Sequence, residues 1–174
     1  SADFGYQTDR TGFTLSTFFE QYEDIYLAPA ISINYETLKT DSKASAAMKK
    51  QEGSYTDAYL AYSIINDKRD QRFQTTEGYR LSFIQDVPIY SNSPNIVNGL
   101  DISSYYPLKD SIIASVTFYS RAINSLSSSD DVRLSKRLHI PGRKLRGFEV
   151  GKIGPTDSGD YIGGNYATAL SLST

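Results

Sequence analysis

Leu145-Arg146-Gly147-Phe148, then Gly151-Lys152-Ile153-Gly154-Pro155-Thr156-Asp157, then Gly163-Gly164-Asn165, is the stretch on which the reading of this chain turns. It lies in a connection, from Ala122 to Gly164, in which no segment alternates like a strand for long. Connections of that length are functional or disordered. A disordered tail is polar and repetitive, whereas this one mixes Ile140, Leu145, Phe148, Val150 and Ile153 with irregularly placed Gly and Pro. It can therefore fold onto something. Gly147 permits positive φ between a cation and an aromatic ring, which allows both to be aimed into one cavity. A guanidinium such as that of Arg146, drawn into a partly enclosed space, requires carboxylate or carbonyl partners.

Around this loop the sequence has the period of strands. From Gly12, Phe13, Leu15, Thr17 and Phe19 alternate with Thr14, Ser16 and Phe18. Ile25, Leu27, Pro29, Ile31, Ile33 and Tyr35 then share one face, with Tyr26, Ala28, Ala30, Ser32, Asn34 and Glu36 on the other. This segment is long enough to cross a bilayer when tilted. Pro29 has no N–H and would ordinarily demote it to an edge or mark a bulge. The charged stretch Asp41 to Ser54 is a loop in which Ala44 to Met48 can form one helical turn.

Further strands are expected over Asp57 to Ile65, from Tyr79 to Val87-Pro88, from Ile96 to Tyr106, from Ala114 to Arg121, and from Ala167 to Leu172. The connections Gln21–Asp24, Asn66–Gly78 and Pro107–Asp110 alternate with Asp41–Ser54, Ser91–Asn95 and the long loop. The largest connections thus gather at one end, although the middle pair runs against the trend. Short turns opposite long loops characterise outer-membrane barrels. The expected fold is an all-β, antiparallel, up-and-down sheet, but a soluble antiparallel sheet alternates in the same way. Periodicity alone leaves open which face meets lipid.

Composition narrows the function. The 174 residues suffice for about one domain, yet 39% hydrophobic content is low for a soluble core. Fourteen Tyr and eight Phe without Trp suit strands and interfacial girdles. Lys+Arg 18 against Asp+Glu 20 gives a formal charge of −2 and no basic field, so nucleic acid is not an expected partner. With no Cys, disulfides and thiolate metal sites are excluded; the lone His139, beside Pro141, reads as a solvated side chain, and no metal or cofactor is expected. Ser1 opens the sequence without methionine, charged n-region or apolar h-region, so no targeting segment is expected. No apolar run is long enough for a transmembrane helix, which leaves membrane-spanning strands possible. No nucleophile elbow is present and the charges are scattered over turns, so no catalytic residues are expected. Asp57, Asp101 and Glu36 are read as facing a polar lumen.

Leu145-Arg146-Gly147-Phe148, Ile153-Gly154-Pro155 and Gly163-Gly164-Asn165 opening a strand, in that order, resemble the long extracellular loop of the BamA family, outer-membrane β-barrel assembly factors of the bacterial surface antigen superfamily. Asp67 to Arg72 followed by Thr75-Thr76-Glu77-Gly78 also resembles a periplasmic turn of such barrels. The resemblance implies a transmembrane barrel, here incomplete with about seven strands over residues 1–174 and a loop over about 123–164. The family's POTRA domains and terminal barrel strands would lie outside the sequence. It implies that the loop folds back into the lumen, with Arg146, Gly147 and Phe148 as a latch supported by Leu145, Ile153, Gly154, Pro155, Gly163, Gly164 and Asn165. The acidic partners of Arg146 are expected on later strands, outside this chain.

The implied function is insertion of β-barrel proteins into the bacterial outer membrane. The implied partners are outer-membrane lipid, unfolded β-barrel clients, periplasmic chaperones and accessory lipoproteins. A two-partner secretion transporter, another translocator of the superfamily, or a passive pore is the alternative.

Overall fold

The computed structural model describes residues 5–144, 154–157 and 160–174. The chain forms one antiparallel sheet: β1 (Tyr6–Ser16), β2 (Phe19–Tyr22), β3 (Ile25–Thr40), β4 (Gly53–Asp67), β5 (Gly78–Ser91), β6 (Asn95–Lys109), β7 (Ile112–Ser125) and, after a small hairpin of β8 (Thr156–Asp157) and β9 (Asp160–Tyr161), β10 (Tyr166–Ser173). The sheet order is β1-β3-β4-β5-β6-β7-β10, with β2 also on β3. Since β1 and β2 are one strand interrupted at Thr17-Phe18, the up-and-down half-barrel has the seven strands the alternation predicts. The only α-helical turn among the described residues, α1 (Ala46–Lys49), begins where Ser45 Oγ accepts the N–H of Met48.

Several strands are longer than the alternation suggests. β3 continues to Thr40 and β6 runs through Pro107 to Lys109, so the expected Pro107–Asp110 turn shrinks to Asp110-Ser111. β7 likewise extends to Ser125, so the long connection begins at Leu126. Polar strand ends lie beyond any apolar band and lose the alternation, but ladder pairing carries on through them.

Pro29 sits inside the sheet, paired to Tyr62 of β4, and the expectation of an edge position is corrected. Its carbonyl accepts the N–H of Thr17 at 3.0 Å, at the gap between β1 and β2. A residue's N–H and C=O point to the same side of a strand, so the missing donor of Pro29 faces the interrupted strand.

The register sorts the two faces. Ile31 opposes Leu15 and Leu60, Ile33 opposes Phe13, Ile64 opposes Leu27 and Phe83, Leu81 opposes Ile102, Phe118 opposes Ile102 and Leu170, and Val116 opposes Leu172. Cross-strand partners share a face, so these side chains form one continuous apolar surface. Leu15, Ile31, Ile33, Leu60, Ile64, Leu81, Val116, Leu170 and Leu172 on it are all exposed. They do not converge into a core between two sheets. The opposite, lumenal face carries Glu36, Asp57, Ser82, Asp101 and Arg121 and is the face the long loop covers. Lipid outside and polar groups inside is the arrangement of a membrane barrel.

At the short-turn end, residues 68–77 are held by their own polar groups. Asp70 accepts Thr76 Oγ1 at 2.5 Å and the N–H groups of Thr76 at 3.0 Å and Glu77 at 3.1 Å. Asp67 pairs with Arg69 at 2.8 Å. Gly78 is required here, because its φ is +100° and a Cβ would lie 2.1 Å from the carbonyl oxygen of Lys68. The Thr76 hydroxyl, with the Glu77, Thr76 and Gln71 amides, brings the Asp70 carboxyl down to about 2. A depressed carboxyl favours the folded turn above its ordinary pKa and loses that contribution as pH falls through the folded value. A carboxyl-carbon NMR titration is therefore expected to show Asp70 ionised at pH 3. A midpoint near 4 would mean that the turn lacks these bonds.

Candidate functional site: the loop anchor on the lumenal face

Leu126 leaves β7 with its N–H bonded to the carbonyl of Pro94, and the chain crosses onto the lumenal face of β3 and β4. Val132, Arg133 and Leu134 are buried there, at 0, 1 and 3% exposure. Leu134 completes an apolar cluster with Leu38, Ala44 and Met48, bordered by Tyr6, Tyr55 and Ile162. These partners come from the ends of β3 and the loop that follows it. The apolar core on the lumenal side is thus closed by the long loop, which supplies Leu134.

Arg133 fills the centre. Its Nη1 lies 2.7 Å from Glu36 Oε2 and 3.0 Å from Asp57 Oδ2, and its Nη2 lies 3.0 Å from Asp57 Oδ1. The guanidinium also stacks on Tyr55, with Cζ 3.8 Å from the ring centroid. A planar fork meets one carboxylate with two parallel donors and a second with a shared one, a geometry lysine cannot reproduce. Burial opposes its charge, but the Asp57 and Glu36 carboxylates outweigh it and hold the guanidinium above its ordinary pKa. Ser91 Oγ donates to Asp57 Oδ1 at 2.5 Å. Lys136 Nζ stands 3.9 Å from Asp57 Oδ2 and 4.7 Å over the Tyr59 ring. Two cations thus face two carboxylates. Burial lowers the pKa of Lys136, with Asp57 opposing that shift and Arg10 and Arg133 adding to it.

A β-bulge makes part of this site. Between Tyr59↔Pro88 and Ala58↔Tyr90 the register shifts by one residue at Ile89. Without that extra residue Ser91 would point to the lipid side; with it, Ser91 reaches Asp57. Gln51 ties the backbone down, accepting the N–H of Leu134 at 2.7 Å and donating to the carbonyl of Val132 at 3.4 Å. Arg137 binds exposed Asp131 at 2.7 Å and the Val132 carbonyl at 3.1 Å. Deeper in the lumen Arg121 grips Asp101 through two bonds of 3.0 and 2.7 Å, and its side chain lies against Gly99, where a Cβ would approach to 2.8 Å.

Of the residues expected at the site, Leu145, Arg146, Gly147, Phe148 and Ile153 lie outside the described residues. Gly163, Gly164 and Asn165 do open β10. Gly164 and Leu138 exchange backbone bonds of 2.7 and 2.9 Å, and the Asn165 carbonyl accepts the N–H of Ile123 at 2.8 Å. Gly163 has φ +72°, and a Cβ there would stand 2.8 Å from His139 Nε2, so only glycine fits. His139 is accordingly packed against the loop's return and is corrected from a solvated side chain; burial lowers its pKa. Gly154 has φ +125° with open space around it, and the Pro155 carbonyl accepts the N–H of Ile162.

Asp57, Glu36 and Asp101 face the lumen, as the alternation implies. The sequence reading did not single out Arg133. Two carboxylates on one polar face of adjacent strands require a cation, and the loop offers several: Arg133, Lys136, Arg137, Arg143 and Lys144. That requirement was the available signal, but it does not choose among them.

A search of curated proteins finds no match. Among solved structures the fold is similar to "The crystal structure of BamA from Haemophilus ducreyi lacking POTRA domains 1-3", with a TM-score of 0.80 at 19% identity. The match covers 96% of this chain and 37% of that one, so the chain spans well under half the length of this solved relative. The family model of the Omp85 superfamily domain matches residues 1–174, and the chain belongs to that superfamily.

Proposed function

We propose that this chain is the central part of a bacterial outer-membrane barrel that inserts and assembles other β-barrel proteins. The carrying observation is that the long loop, in an Omp85 superfamily chain, is seated on the lumenal face by a buried arginine between two strands. The work is templating, in which an exposed strand edge accepts an incoming strand by β-augmentation. The barrel's other strands and its POTRA domains would lie outside residues 1–174. Its partners would be outer-membrane lipid, unfolded barrel clients, periplasmic chaperones and accessory lipoproteins. Arg146, Gly147 and Phe148 would form the lumen latch, with the acceptors of Arg146 on later strands.

The test uses the full-length protein in lipid vesicles with a urea-denatured barrel client, whose folding is followed by heat-modifiable gel mobility. Client folding is expected to be faster than in empty vesicles, slower with Arg146→Ala, and not restored by Arg146→Lys, because a planar two-bond contact is lost while the charge stays. Solute flux without faster client folding would establish a pore instead. Release of a passenger polypeptide through the barrel would establish a translocator.

A further inference from the structure

We infer that Arg133 is a positioning residue that keeps the root of the long loop, residues 126–138, seated on β3 and β4 throughout the working cycle, so that the loop acts from a stationary base. The inference rests on the proposed function only for the cycle in which the loop works. Its physical ground is independent of that. The root is held in several ways: the Arg133 fork on Glu36 and Asp57, the Tyr55 stack, Leu134 among Leu38, Ala44 and Met48, and the Gln51 side chain on two backbone groups.

Each of these must break together for the root to lift, because one short segment carries them all. Lifting it would also leave Glu36, 4% exposed, and Asp57, 1% exposed, without their main cation. Seated, the pair is shielded by the root and held by charge-assisted bonds; lifted, that shielding and those bonds are lost together. Lys136, the second cation on Asp57, lies on the same segment and would leave with it. An open-root state therefore loses both cations that face Asp57, while Arg10, cross-strand from Glu36 on β1, stays.

Two measurements on the full-length protein in vesicles decide the matter. Lys50→Cys and Ser129→Cys place thiols at exposed positions on either side of one cleft, on the sheet's loop and on the root. Bridged by a short bis-methanethiosulfonate linker, whose disulfides a reductant later cleaves, the protein is expected to fold client at the unbridged rate. Loss of client folding on bridging, restored by cleaving the linker, would overturn the inference, since it would show that the root must move.

The second arm uses Arg133→Lys, which keeps the charge but not the fork. It is expected to open residues 126–138 to protease while the barrel keeps its heat-modifiable mobility, and unchanged protection of that segment would overturn the role given to Arg133. Should the unmodified protein fold no client, the proposed function falls, and the anchor is judged by the protease pattern alone.

Discussion

Replacing Arg133 with methionine is expected to destabilise the folded barrel by about 3–5 kcal/mol, the range for removing one partner of a buried ion pair. The side chain is 1% exposed, and its loss leaves Glu36 and Asp57 with Lys136 beside Asp57 and Arg10 cross-strand from Glu36 as the remaining cations. The measurement is a urea titration of the full-length protein in vesicles. The triple variant Arg133→Met, Glu36→Gln, Asp57→Asn is expected to recover most of the loss, because it removes the buried charges along with their partner. Equal instability of single and triple variants would show that packing, and not charge, governs the site. Arg137→Met is the control: its carboxylate partner Asp131 is 63% exposed, and exposed pairs contribute about 1 kcal/mol or less.

Leu60→Arg is the second large effect. Leu60 lies at the middle of β4 on the apolar face, opposite Ile31 and Val87, and is 38% exposed. In a bilayer the expected cost is about 2–4 kcal/mol at mid-depth and about 0–1 near the interface. Leu81→Arg provides the shallow comparison, since Leu81 opposes Asn66 next to the turn end of the same sheet. On a solvated sheet face both substitutions would be nearly neutral. Equal small costs at the two depths would therefore end the assignment of this face to lipid.

The sequence by itself determined the strands and their sidedness. Side chains alternate with period 2 whatever the strand's neighbours, so the two faces of Ile25 to Glu36, and of each later strand, are written locally. The long loop and its return through Gly163-Gly164-Asn165 were equally legible, because glycine takes the positive φ found at Gly163 without steric cost. Tertiary structure decided what these faces meet. The acceptance of Pro29 inside the sheet depends on a gap between β1 and β2 that only pairing reveals, and the contact of Ser91 with Asp57 depends on a bulge at Ile89.

Above all, only the fold selected Arg133 among the loop's cations. Its carboxylates lie 97 and 76 residues away in sequence, and no local pattern encodes a distance of that kind. The choice follows from which cation arrives above Glu36 and Asp57 once Leu134 has entered the apolar cluster beside them. Burial then makes the pairing obligatory, because a carboxylate removed from water must find its cation within the protein.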